Sequence, residues 1–267
     1  MPATRRQVLP GFGLSLGYTL TYLSLIVLIP LGGLAIKSAK LSWSEFVGMM
    51  TDPLVTAAYK LSLTASLAAA AINGVMGFVV AWTLIRYPFP GRKLFDSIVD
   101  LPFAMPTAVA GLTFATLFDD FPGLQQTDDR DWWRVTLMLV FVGLPFVIRT
   151  LQPVLQDLDA DVEQAAASLG AGPWTIFRRV IFPVLIPAWI SGMALAFARG
   201  VGEYGSIIFV SGNIPGKSQI VPQLIIEKLD QFNYPRATAI GLVLLVISLS
   251  ILLLLNGIDY WSRRFDR

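Results

Sequence analysis

The sequence predicts an all-α membrane protein with six transmembrane helices. Three observations carry that prediction. Of the 267 residues, 55% are hydrophobic and only 14% are charged, against about 25% charged in an ordinary soluble domain. The mean hydropathy is +0.65, which suits a chain whose outer surface meets lipid. The apolar residues fall into runs of the ~20 residues a helix needs to cross ~30 Å of hydrocarbon at ~1.5 Å per residue. The alternation expected of a membrane barrel is absent. Helices are then the only spanning element that satisfies its own backbone groups. The chain has neither cysteine nor histidine. That excludes disulfides, thiol catalysis, thiolate zinc sites and a Ser-His-Asp triad. A net charge of +2 leaves no electrostatic footprint for nucleic acid.

Taken in order, residues 1–11 read as a short polar tail with Arg5 and Arg6. A long apolar run without a cleavage-site pattern follows, so the first span reads as an uncleaved helix. The six expected spans are 12–36, 57–85, 95–118, 133–155, 184–210 and 237–260, with a tail at 261–267. Together 12–260 form one membrane domain. Pro102 and Pro106 fall in the third span, Pro145 in the fourth and Pro187 in the fifth. Each removes a backbone donor and kinks its helix. Such kinks open cavities between helices, although membrane helices also tolerate proline without one. Arg5, Arg6, Arg86, Arg92, Lys93, Arg149, Arg178, Arg179, Arg263, Arg264 and Arg267 sit at helix ends on one side. The basic residues of the other side are mixed with acids such as Asp119, Asp120, Asp128, Asp129 and Asp131. The positive-inside rule then places both termini in the cytoplasm. Trp132, Trp133, Tyr260 and Trp261 suit interfacial anchoring.

The stretch 157–183 is the longest amphipathic piece of the chain. Asp157, Asp159, Asp161 and Glu163 cluster before an alanine run, where acids meet the positive end of a helix dipole. Gly170 and Gly172 break that helix. A second short helix is expected from Pro173, closed by Arg178 and Arg179 before Pro183 opens the next span. On the residues alone, this stretch is either a docking helix for a soluble partner or an interfacial amphipathic loop.

Glu163-Gln164-Ala165-Ala166, then Leu169-Gly170-Ala171, then Val180-Ile181-Phe182-Pro183 resemble the EAA loop of bacterial ABC-importer permeases. Gln164 stands where a second acid is common, and Val180 and Phe182 replace an isoleucine and a leucine. The resemblance extends over nearly the whole chain and is greatest to the T-type permeases of sulfate/thiosulfate importers. It is carried by residues 9–17, Ala57-Ala58-Tyr59-Lys60, residues 100–113, residues 145–155, Gly202-Glu203-Tyr204-Gly205-Ser206 and Phe232-Asn233-Tyr234-Pro235. The segment between the third and fourth spans is short for that family. The resemblance implies a type I importer permease bundle in the bacterial inner membrane, with a cytoplasmic coupling helix. Glu163, Gln164, Ala165, Ala166, Leu169, Gly170, Ala171, Arg178, Arg179 and Pro183 would couple it to the motor. The implied partners are a second, W-type permease subunit, two ATP-binding subunits, a periplasmic sulfate-binding protein and membrane lipid. ATP and Mg would be held by the ATP-binding subunits, with no cofactor and no catalysis in this chain.

Within the spans, Arg199 and Glu203 stand at i, i+4. They either help pass an oxyanion or neutralise each other, since intramembrane charges are costly. Arg149 either meets the anion on exit or contacts lipid or a loop. Thr107, Thr113, Thr116 and Ser206 are candidate pore hydroxyls, or serve helix packing. Ser211-Gly212-Asn213-Ile214-Pro215-Gly216-Lys217-Ser218 nearly spells a phosphate-binding loop, but its first position is not glycine and no strand is expected before it. Residues 220–229 read as a contact for a binding protein or as a lid on the bundle. Rival readings are a molybdate or tungstate importer permease and an ion-coupled secondary carrier. A membrane enzyme is disfavoured for want of clustered catalytic groups.

Overall fold

A computed structural model describes residues 11–121 and 131–262. The tail residues before 11, the acids at 128 and 129, and the basic residues after 262 lie outside the described residues. So do the side chains of Tyr260 and Trp261. Every element among the described residues is helical. In order they are α1 Phe12–Ser38, α2 Trp43–Met50, α3 Pro53–Arg86, α4 Arg92–Val99, α5 Leu101–Ala104 and α6 Thr107–Asp120. They continue with α7 Asp131–Asp157, α8 Ala160–Ser168, α9 Pro173–Val201, α10 Ile207–Val210, α11 Val221–Asp230 and α12 Tyr234–Ser262. Five of these, α1, α3, α7, α9 and α12, are long and apolar enough to cross a membrane.

The frame is a three-helix core of α3, α7 and α9. Lipid tails offer no hydrophobic drive for helices to associate, so close packing has to do it, and small residues permit it. A side chain on Gly77 of α3 would stand 3.0 Å from Val147 of α7. One on Gly192 of α9 would stand 2.3 Å from Thr150 Oγ1 and 2.9 Å from the Val147 Cα. Gly143 of α7 receives Asn73, whose Nδ2 donates to the Val140 carbonyl at 3.1 Å. Gly74 lies under Met193 and Trp189, and the Trp189 indole donates to the Gly74 carbonyl at 2.7 Å. These contacts set α3 and α7 parallel and α9 against them. We call the end carrying Arg86, Asp157 and Pro173 the lower end. α12 closes a flank, where Tyr59 Oη donates to the Ile240 carbonyl at 2.6 Å. The upper half of α1 rests on α12 through Leu34 near Gly241, whereas residues 12–30 are exposed throughout.

The expected third span is not continuous. It divides into α4, α5 and α6, with joints at Asp100 and at Met105–Pro106. Pro106 disfavours the helical region for the residue before it, and Met105 is extended at ψ 134°. Pro102 and Pro106 therefore start helices rather than kink one. The expected fifth span also changes. The second short helix is not separate from it, because α9 runs from Pro173 to Val201 without a stop. A π turn at Phe177–Ile181, closed by the Phe182 N–H on the Phe177 carbonyl, carries the chain into Pro183. A second π turn, Ser24–Leu28, stands in the same place before Pro30. A proline ring collides with the carbonyl four residues back, and the wider turn moves that carbonyl aside. α9 ends at Val201, so Glu203 and Ser206 lie in the loop after the span rather than within it.

Close packing of this kind is directly testable. Gly192→Leu should lower the thermal stability of the purified protein by about 1–3 kcal/mol, the usual cost of overpacking. Gly48→Ala, with nothing within 4 Å of the new carbon, should be neutral or mildly stabilising.

Candidate functional site

At the lower end, α8 is defined by its caps. The Asp159 carboxylate accepts the Asp161 N–H at 2.9 Å, and Asp161 and Glu163 occupy the first turn. Its far end closes as a Schellman motif. The Ala171 N–H reaches the Ala166 carbonyl at 3.1 Å and the Gly170 N–H reaches Ala167 at 2.9 Å. Gly170 takes φ +85°, the left-handed region that glycine occupies without penalty. None of the α8 residues is buried. Only Glu163 and Ala166 turn toward the protein; Gln164, Ala165 and Leu169 face out, and Leu169 is 89% exposed. An exposed leucine and Val162 on a helix of small residues make an apolar face that nothing covers among the described residues.

Glu163 is not free. Its Oε1 meets Arg86 Nη2 at 2.6 Å, and the Arg86 guanidinium lies over the Trp82 ring at 5.2 Å. This pair fastens α8 to the foot of α3. Arg178 and Arg179 are exposed on the π turn. Neither has an ion-pair partner among the described residues. Pro183 follows in the same helix. Phe78, Val79, Trp82, Pro173, Trp174 and Phe177 line an apolar groove of about 350 Å³ beside them. The expected coupling residues therefore gather at one end of the bundle, around α8 and the first turns of α9.

The expected pathway residues divide. Arg199 and Glu203 form an ion pair at 2.6 Å in which Glu203 is 2% exposed and Arg199 is 38% exposed. The second Glu203 oxygen accepts the Ser206 N–H at 3.0 Å and its hydroxyl at 2.9 Å. The carboxylate thus folds the loop 202–206 that ends α9. α6 lies directly on this loop. A Cβ on Gly111 would stand 2.4 Å from the Ser206 carbonyl oxygen, and one on Gly205 would stand 2.4 Å from Thr107 Oγ1. Thr107, Arg199, Glu203 and Ser206 are brought together at the upper end. Thr113 is exposed on α6 with its hydroxyl bonded to the Val109 carbonyl, and Thr116 bonds the Thr113 carbonyl.

Arg149 lies apart from these, on the lower half of α7. Its Nε and Nη2 fork onto the Asp100 carboxylate at 2.8 and 2.6 Å. Nη1 meets Asp96 Oδ1 at 2.7 Å and Gln152 Oε1, and Nη2 also reaches the Asp96 carbonyl at 2.8 Å. A guanidinium has five N–H groups, and all are committed here. Arg149 stands out in the sequence, but its partners do not. Asp96 and Asp100 lie 53 and 49 positions from it, inside the expected third span, and no local pattern joins them to it.

The other expectations resolve simply. Ser211–Ser218 is a self-closed loop in which the Ile214 N–H bonds Ser218 Oγ at 2.9 Å. No strand precedes it among the described residues. α11 packs on the bundle, with Val221 and Leu224 buried and the Val221 N–H on Ser62 Oγ at 2.9 Å. On its outer side Glu227 gathers Lys228, Gln219 and Gln231. The Lys228 ammonium, then the Gln219 amide, hold its carboxyl below the usual range.

Residues 73–265 match the family model described as "Binding-protein-dependent transport system inner membrane component". The chain is 49% identical over 254 residues, 92% of its length and 89% of the relative's, to the "Probable sulfate transport system permease protein cysT" of Nephroselmis olivacea. It is 45% identical over 274 residues, 100% of this chain and 98% of the relative, to the "Sulfate transport system permease protein CysT" of Salmonella typhimurium. In fold it is similar to a chain of the crystal structure of a bacterial alginate ABC transporter in complex with an alginate pentasaccharide-bound periplasmic protein. The TM-score is 0.75, at 19% identity, covering 94% of this chain and 93% of that one.

The Arg199–Glu203 pair predicts an asymmetry. Arg199→Ala strands a buried carboxylate and should cost about 1–3 kcal/mol in thermal unfolding of the purified protein. Glu203→Gln leaves a half-exposed arginine that water can solvate, and should cost less.

Proposed function

The chain belongs to the family of binding-protein-dependent transport system inner membrane components, and from that membership we propose a role in sulfate uptake. In this reading it is the membrane-spanning permease subunit of an ATP-driven importer for sulfate or thiosulfate. The carrying observation is identity of 45–49% over nearly the full length to sulfate permeases, joined to an exposed, doubly capped helix with an unoccupied apolar face. A permease that is moved by a separate motor needs such a face. α8, with Gln164, Ala165, Ala166, Leu169, Gly170 and Ala171, is the segment that enters the ATP-binding subunit. Glu163 serves from the inner side, by holding α8 on Arg86.

The lower end is then cytoplasmic, and so are both termini. Two ATP-binding subunits, which hold ATP and Mg, act on this chain and on a second permease subunit. A periplasmic binding protein delivers the anion at the upper end. Closure of the motor subunits draws the docking helices together and opens the pore outward. Hydrolysis lets them part and turns the pore inward. Thr107, Arg199, Glu203 and Ser206 form the upper gate, where α6 closes on the loop 202–206. Arg199 meets Glu203 through Nη1, and the rest of its guanidinium, on a side chain 38% exposed, is the group that meets a passing oxyanion.

The test is Gly170→Asp, measured by sulfate uptake and by co-purification of the ATP-binding subunit. An aspartate at φ +85° strains the cap and puts charge on the docking face. Uptake and co-purification should both fall about tenfold or more at normal membrane levels, the scale of a lost coupling contact. Retention of both overturns the docking role of α8. Competition of uptake by molybdate, but not by thiosulfate, overturns the substrate.

A further inference from the structure

We infer that Arg149 is a positioning residue that transmits movement of α8 to the upper gate, by clamping the broken third segment to α7. The route is continuous in the structure. Leu158 and Asp159 alone separate α7 from α8, and Leu158 packs on the core. Asp157, the last residue of α7, lies about 12 Å along the helix from Arg149 at ~1.5 Å per residue. Arg149 then holds Asp96, on α4, and Asp100, at the joint between α4 and α5. Gln152, one turn below, donates a further bond to Asp96 at 2.8 Å. Beyond the joint, α5 leads through the extended Met105 into α6, and α6 rests through Gly111 and Thr107 on the loop that Glu203 folds.

The chemistry favours positioning over stability. The Arg149, Asp96 and Asp100 side chains are 30%, 43% and 49% exposed, and half-exposed ion pairs add little to global stability. A planar fork on one carboxylate, braced by a second, fixes direction as well as distance. Val99 is the only buried residue of α4, so apolar burial gives α4 little hold and the clamp adds a directional one. Asp100 stands where the chain changes direction, and a grip there moves α4 and α5 together.

The experiment uses the complete complex in proteoliposomes, with sulfate uptake and ATP hydrolysis measured on the same preparation. Lysine keeps the charge of Arg149 but lacks the fork. Arg149→Lys should assemble with the ATP-binding subunits and hydrolyse ATP within about twofold of wild type, while sulfate moved per ATP falls about tenfold, an ordinary coupling effect. Asp100→Asn should fall in the same direction. The double variant should be no worse than the poorer single one, because both break one contact. Hydrolysis and uptake falling in proportion, or additive defects in the double variant, overturn the linkage. The inference rests on α8 being the motor contact, which Gly170→Asp tests separately. Intact uptake in Gly170→Asp sinks the docking reading, whereas normal sulfate per ATP in Arg149→Lys sinks the linkage alone.

Discussion

The close approach of α3, α7 and α9 is the constraint on which the rest of the structure depends. In lipid, apolar side chains gain nothing by leaving their surroundings for one another, so helices hold together by contact area and interhelical hydrogen bonds. Gly74, Gly77, Gly143 and Gly192 remove the side chains that would keep the backbones apart. Asn73 and Trp189 then reach backbone carbonyls on neighbouring helices. Once these three helices are in register, the arrangement at both ends follows. Arg86, Asp157 and Pro173 all come to the lower end, where the Arg86–Glu163 pair holds α8. At the upper end, α9 finishes where α6 can press on its loop.

A second constraint is that every backbone group in hydrocarbon must find a partner. It explains where the chain is irregular. Pro30 and Pro183 are each preceded by a π turn, so the helix keeps bonding while its axis passes the proline ring. Pro102 and Pro106 sit at helix starts, where a missing donor costs nothing. The irregular third segment is covered by protein where it turns. At Asp100 the cover is the Arg149 guanidinium, and near Thr107 it is the loop 203–206.

What could be read from the sequence was what is local. Helix class, the rough positions of five of the six expected spans and the acid-first, glycine-last form of α8 all depend on residues within a few turns of one another. Gly170 was legible because a left-handed cap needs glycine. The division of the third span was not, because average hydropathy is blind to the conformation of Met105. The fusion of the second short helix into α9 was missed because Pro183 reads as a start. In fact the π turn lets it sit inside a helix. The partners of Glu163 and Arg149 were hidden for another reason: Arg86 is 77 positions from Glu163, and Asp96 is 53 from Arg149. Such pairs depend on how the bundle closes, and no local pattern records that.

The proposed docking role makes α8 a cytoplasmic face for a separate motor. The chain has no cysteine, so Leu169→Cys gives it a single thiol, at a position 89% exposed. Its labelling by a membrane-impermeant maleimide would be measured in inside-out and right-side-out vesicles, with and without the ATP-binding subunits. Labelling is expected only from the cytoplasmic side, with protection once those subunits are bound. Labelling from the outer side, or equal labelling with the subunits bound, would contradict the docking role.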